Sequence, residues 1–309
     1  MKALRLCVAL SVAVLFIAAA SPALGLANRV FVSQRSGNNA NSCDNILTPC
    51  QTFAGAVLQL NPGGEAIVLD SRGYGSVTIT QSLTIEAPPG VLAFIHPPSG
   101  GDAVTVSASG ATVVLRGLTM DGAGALTGNG INVVAVSVLH VESCVITGFA
   151  GVGASGNGIY FTSAGQLFVK DSIIRGNREV GIWVIPSSGA AQASVDHCRL
   201  EQNRYGLISD ASTGPAKATI RDSVASGNDL SGLVAEGGGA ELNAEGCLVA
   251  NNGYGLVVDA PSDVLRASNC TVTDNGTGLF TGGSLLSRSN NTVQGNTTKG
   301  AFTGTYSAD

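Results

Sequence analysis

Six asparagines, Asn177, Asn203, Asn228, Asn252, Asn275 and Asn296, recur at spacings of 26, 25, 24, 23 and 21 residues. Each lies five residues after a small polar residue: Ser172, Cys198, Ser223, Cys247, Cys270 and Asn291. Three or four residues beyond each asparagine comes a glycine: Gly181, Gly206, Gly232, Gly255, Gly278 and Gly300. The unit continues backward, more weakly, to Cys144 and then Leu118. A single unit of this size cannot bury its own apolar face, so units with fixed internal punctuation stack on their neighbours. The chain is therefore constrained to a solenoid.

The residue after each glycine is aliphatic through Ile131, Ile159, Ile182, Leu207, Leu233, Leu256 and Leu279, and Ala301 follows Gly300. Two residues later stand Val133, Phe161, Val184, Ser209, Ala235, Val258, Thr281 and Thr303, small or apolar again. Alternation with period two makes these the inward face of a short strand. A second strand precedes the small polar position, as in Leu167-Phe168-Val169, Ala193-Ser194-Val195 and Thr219-Ile220. Gly, Asn, Asp and Ser divide the strands into turns, and no stretch between them is long or periodic enough for a helix. The predicted fold is all-β, a parallel β-helix of about nine or ten coils spanning residues 62–309. Stacked asparagines then serve the turns, each bonding its own turn and the next side-chain amide.

Ahead of the coils, residues 26–61 read as a strand and loop leading to a short capping helix. Thr48 as N-cap, Pro49 at the first helical position and Gln51 at the third form a capping-box pattern before Phe53–Leu58. Such a helix would cover the open strand edge of the first coil. The C-terminal Phe302–Tyr306 stretch has no comparable cap, and a second copy of the chain could bury it.

Residues 1–25 carry Lys2 and Arg5, an apolar run from Val8 to Ala20, and small residues up to Gly25. This is the pattern of a Sec-type signal peptide, which places the mature protein outside the cytoplasm, secreted or periplasmic. No second long apolar run follows, so no membrane span is expected. Loss of the leader removes two positive charges and no acids, moving the formal net charge from −5 to −7. That balance argues against nucleic acid as a partner. In an oxidising compartment Cys43 and Cys50, close together in a polar turn-rich stretch, are expected to form a disulfide. Cys144, Cys198, Cys247 and Cys270 instead share the position that elsewhere holds Ser or Asn, and are expected to be interior thiols. Cys247 and Cys270 fall on adjacent coils, where a bond is sterically open.

The unit seen in Ala218–Asn228, with its asparagine turns, resembles the right-handed β-helix proteins of the pectate-lyase-like superfamily over residues 62–305. The block from Val30 through Cys43 and Cys50 to Gly55 resembles the leader of exported bacterial members that carry no assigned activity. The resemblance implies a right-handed coil. It transfers no catalytic residue. Polygalacturonase-like enzymes carry Asn-Thr-Asp, Asp-Asp and Gly-His-Gly signatures, and pectate lyases carry Trp-x-Asp-His and Arg-x-Pro-x-x-Arg, none of which occurs here.

Outward columns are where ligands would meet such a scaffold. Two residues after each glycine lie Asn132, Tyr160, Trp183, Ile208, Val234, Val257, Phe280 and Phe302. Tyr160 and Trp183, on adjacent coils, are candidates to stack a sugar ring. The alternative is that this apolar row is covered by a loop or by another subunit. Four residues after the glycine, Asp210, Glu236 and Asp259 stack on three coils. They could hold Ca²⁺ through oxygen ligands or act as the acid and base of a glycosidase, or simply be solvated strand ends. Glu142, Lys170, Asp196, Arg221 and Glu245 alternate in sign, which opposes a slipped register. Beside them Asp171, His197 and Asp222 stack as a His–carboxylate group, either a general base or a surface ion pair. Two functions follow from this reading. One is an exported, non-catalytic binding or structural module for a polysaccharide or cell-surface glycan. The other is a polysaccharide lyase, hydrolase or epimerase acting on an acidic glycan.

Overall fold

A computed structural model describes residues 25–97, 101–123 and 128–307. The expected signal peptide lies outside the described residues. The coil is a parallel β-solenoid of about nine turns. Every strand pairing is parallel: one nineteen-stranded sheet wraps two faces and a ten-stranded sheet forms the third. Register is carried from coil to coil without slip through the repeat. Ile182 pairs with Leu207, Leu207 with Leu233, Leu233 with Leu256 and Leu256 with Leu279. These side chains are buried in one continuous core that runs the length of the solenoid.

The asparagine ladder is unbroken from Asn177 to Asn296. Each Nδ2 donates to the Oδ1 of the next, at 3.0, 3.4, 2.9, 2.9 and 2.9 Å. Each Oδ1 also accepts the backbone N–H of the preceding asparagine, as Asn228 Oδ1 does from Asn203 at 3.1 Å. The turn's orphan N–H groups are thus satisfied in the interior. A shorter second ladder, unseen in the repeat pattern, links Asn157 Nδ2 to Asn129 Oδ1 at 3.0 Å on an earlier corner.

The repeated glycine is required by close approach. A Cβ on Gly206 would stand 2.5 Å from the carbonyl oxygen of Gly232 on the next coil. The last glycine departs from this rule. Thr277 bridges Thr298, so Lys299 faces Gly278, while Gly300, at φ +71°, lies beneath Leu279. Gly300 is therefore one residue out of its expected column. Ala301 is exposed, and Phe302 packs against the core instead of facing outward. No strand follows Gly300 directly to hold the earlier register; the next, Gly304–Thr305, pairs with Leu286 and Ser287.

Cys and Ser at the shared position make one bond in common. Cys198 Sγ donates to the Asp196 carbonyl at 3.2 Å, and Ser172 and Ser223 hydroxyls donate to the equivalent carbonyls at 2.8 and 2.6 Å. All four repeat cysteines are free and buried. Burial pushes the Cys198 thiol up to about 11. The alternating charge column is longer than the repeat suggested. Arg116 pairs with Glu86 at 3.1 Å and with Glu142 at 2.8 Å, extending the alternation two coils toward the N-terminus.

At the N-terminal end, Cys43 and Cys50 are disulfide-bonded with Cα atoms 5.1 Å apart. The short helix spans Phe53–Val57, and its N-cap is Thr52, whose side chain accepts the Gly55 N–H. The Thr48 capping box does not form. Cys50 instead bridges Val32 of the first strand, so the residues ahead of Thr52 are held extended by pairing. Asn39 Oδ1 accepts the N–H of Gln51 and Thr52, fixing the helix start. Phe53 and Ala56 enter the core. Among the described residues no helix is long and apolar enough to cross a membrane.

Candidate functional site

The outer row of the glycine-led strands carries a second, smaller apolar cluster. Val180, Ile208, Val234 and Val257 are buried, although they point away from the solenoid interior. Neither a loop nor another subunit is needed to cover them. Trp183, Tyr205 and Tyr254, from the same face, fold over the row. Tyr205, Ser231 and Tyr254 pair in sequence on three consecutive coils. The small Ser231 between two tyrosines leaves a gap one coil wide. That gap is a pocket of about 220 Å³, walled by Tyr205, Tyr254 and Phe280 and floored by Val234 and Val257. Phe280 meets Tyr254 edge-on at 5.6 Å, bracing one wall.

Glu236 and Asp259 line the far edge of this slot. Asp210 pairs with Glu236 across the coil and is itself only 5% exposed. Its Oδ2 accepts the Trp183 indole N–H at 3.2 Å, and its Oδ1 accepts the Ser212 N–H at 2.9 Å. Burial, with Asp210 and Asp259 close by, pushes the Glu236 carboxyl up to about 7. Asp210 is nearly buried and Glu236 half-buried, whereas Asp259 is exposed just past the end of its strand, so the three do not share one environment. They also do not gather as a metal site would. Among the described residues the one His/Cys/Asp/Glu trio with ligand atoms within 4.8 Å of one another is Asp196, His197 and Asp222.

Asp263 holds the loop behind Glu236. Its Oδ1 accepts the N–H groups of Gly238, Gly239 and Ala240 at 2.9, 2.6 and 2.9 Å, and its Oδ2 accepts that of Ala260 at 3.0 Å. Gly237, Gly238 and Gly239 all have φ between 88° and 125°, a path open to glycine alone. This clamp fixes where the chain leaves Glu236.

The tyrosines and Asp263 escaped the sequence reading. Their signal was present: Tyr stands directly before the repeat glycine in Tyr205-Gly206 and Tyr254-Gly255, and three glycines precede Asp263 by one coil. Period-two reasoning places a residue before the glycine inward. Tyr205 and Tyr254 instead pack against the outer apolar row, so the alternation breaks at the glycine.

Tyr160 and Trp183 are brought together on adjacent coils, with ring centroids 5.4 Å apart and planes inclined at 56°. The two rings do not form one flat surface, and the indole N–H is committed to Asp210. His197 Nδ1 lies 3.0 Å from Asp196, and Arg221 bridges Asp196 and Asp222. Asp171, His197 and Asp222 all occupy left-handed corners at φ 46–50°. Arg221 already fills the charge-compensating position, so this group is an exposed ion-pair network.

The family described as the right-handed beta helix region matches residues 52–215 and 157–308. The chain belongs to this family. No curated protein sequence matches it. Among solved structures it is similar to pectate lyase Pel9A, at 15% identity and a TM-score of 0.52, covering 85% of this chain and 70% of that one. It is similar also to the GH136 lacto-N-biosidase from Eubacterium ramulus, at 11% identity and a TM-score of 0.52, covering 91% and 67%. At such identities the likeness is one of fold, and this β-helix must be assigned a function from its own residues.

Proposed function

We propose that this β-helix is an exported glycan-binding protein whose binding face is the outer row from Tyr160 to Phe280. The observation that carries the reading is the open slot between Tyr205 and Tyr254, aromatic on its walls and polar at one edge. Sugar rings have an apolar face and a hydroxyl rim, which such a slot complements. The row continues over six coils, about 24 Å along the axis at ~4.8 Å per coil, the length over which a linear glycan would lie. Structures of similar fold are named for a lyase and a biosidase acting on sugars. The Cys43–Cys50 disulfide and the N-terminal leader agree with an oxidising compartment. A glycan array with and without Ca²⁺, run on the wild type, Tyr254→Ala and Trp183→Ala, tests this. Binding that Tyr254→Ala abolishes supports it; no signal above background on any glycan overturns it.

Glu236 favours a second reading, a carbohydrate-active enzyme. A carboxyl poised near neutrality can give a proton to a glycosidic oxygen while Asp259, on the next coil, serves as base or nucleophile. Release of reducing ends from a bound glycan, lost in Glu236→Gln with binding retained, would establish it. Intact glycan after prolonged incubation would reject it.

A further inference from the structure

We infer that the Tyr205–Tyr254 slot takes a protonated amino sugar, an inference that rests on the glycan-binding reading above. The slot's volume, about 220 Å³, suits one sugar ring more than an extended oligomer. Its aromatic walls offer π faces, which attract cations as well as apolar ring faces. Glu236 and Asp259 line it, Asp210 stands against Glu236, and Asp263 is locked into the loop behind. No Lys, Arg or His lines the slot among the described residues. Arg204 lies over the Tyr205 ring at 5.4 Å and is held by Glu179 at 3.0 Å, so its charge is already matched.

The electrostatics separate three ligand classes. A uronic acid would bring a fourth carboxylate to Glu236, Asp259 and Asp210 with no cation to offset it. A neutral or N-acetylated ring would fill the walls and leave the carboxylates uncompensated. An ammonium group on the ring supplies the missing positive charge, donates hydrogen bonds to Glu236 and Asp259, and keeps the apolar ring face for the tyrosines. Charge thus disfavours in this slot the acidic glycan of the alternative enzyme reading.

The test is calorimetric titration of the full mature chain with oligomers of glucosamine, their N-acetylated counterparts and oligogalacturonate. The glucosamine oligomer is expected to bind at least tenfold more tightly than the N-acetylated one at pH 7, with no detectable binding of the uronate. Glu236→Gln should reduce the preference for the amine severalfold without lowering the unfolding midpoint, while Tyr254→Ala should abolish binding of every oligomer. Equal or tighter binding of the N-acetylated oligomer or of the uronate overturns the inference and leaves the glycan reading standing. Failure of all three oligomers to bind, together with a blank glycan array, overturns both.

Discussion

Trp183 and Asp210 are joined across adjacent coils by a hydrogen bond from the indole Nε1 to Oδ2 at 3.2 Å. The bond ties an aromatic of the outer row to a nearly buried carboxylate that faces Glu236. Trp183→Phe would keep most of the packing and remove the donor from a buried acceptor. A loss of about 1.5–3 kcal/mol is expected, the range for hydrogen bonds to charged groups. Chemical denaturation checks this, with Trp183→Ala losing more because it also uncovers the valine row. Trp183 is the only tryptophan in the chain, so its emission in the wild type reports the Asp210–Glu236 pair directly.

Glu236 gives the protein a pH dependence of defined sign. Its carboxyl titrates near 7 when folded, against an ordinary value of 4.5. The folded chain therefore holds a proton that the unfolded chain has released between those values. This contribution is fully present below about pH 4.5 and is lost as pH rises through 7. Asp70, Asp196 and Glu241 have carboxyls held below their ordinary values by hydrogen bonds and paired cations, and act in the opposite direction at lower pH. Melting temperatures of the wild type minus those of Glu236→Gln should fall between pH 4.5 and 7 and flatten above it. A flat difference across that window would contradict the assignment.

The ladder, the inward columns and the parallel pairing were legible because each is a one-residue rule repeated on every coil. Ser172, Cys198 and Ser223 could be aligned without knowing that all three donate to the same kind of carbonyl. The slot was not legible, because it depends on a break in the alternation. At Gly206 and Gly255 the strand leaves period two, and the preceding tyrosines swing outward to cover Ile208, Val234 and Val257. The Asp263 clamp was hidden for another reason: its partners are backbone N–H groups, which no side-chain pattern displays. The C-terminal register was misjudged because Gly300 satisfied the motif by composition while Lys299 occupied the paired position.

Cys198→Ser should be nearly neutral, within about 0.5 kcal/mol in denaturant titrations, an unusual outcome for a fully buried thiol. The reason is that Ser172 and Ser223, one coil to either side, already make the carbonyl bond that Cys198 makes. Cys198→Val, which fits the volume but has no donor, should cost about 0.5–1.5 kcal/mol, the net worth of one hydrogen bond, because the Asp196 carbonyl still accepts the Asp171 N–H. With its thiol pushed up to about 11 by burial, Cys198 should also resist alkylation in the native state and react only on unfolding.

Asp263→Asn tests the clamp behind the slot. The carboxylate accepts four N–H groups, whereas an amide offers one oxygen and turns two donors toward the loop. Asparagine can accept from Gly238, Gly239 and Ala240 only by facing its NH₂ toward the Ala260 N–H. A destabilisation of about 2–4 kcal/mol is expected from one donor–donor contact and the weakened remaining bonds. Hydrogen exchange should localise the loss of protection to residues 238–240, with slot binding weakened although no slot-lining side chain has changed. Unaltered exchange there would show that the glycines hold their path without the clamp.

The ladder predicts a position-dependent cost for a single chemical change. Asn228 Nδ2 donates to the Leu200 carbonyl at 3.1 Å and to Asn252 Oδ1 at 2.9 Å, and its Oδ1 accepts from Asn203 N at 3.1 Å. Asn228→Ala strips these in a buried setting, leaving at least two groups without partners at about 1–3 kcal/mol each. Asn296 ends the ladder and is half-buried, with water able to replace its bonds. Asn296→Ala should therefore cost about 1 kcal/mol or less. Each coil of a solenoid rests on its neighbours alone, so the Asn228 variant should split unfolding into two steps where Asn296→Ala leaves one. Calorimetry distinguishes these outcomes, and equal, single-step losses in both variants would mean that the ladder is dispensable to cohesion between coils.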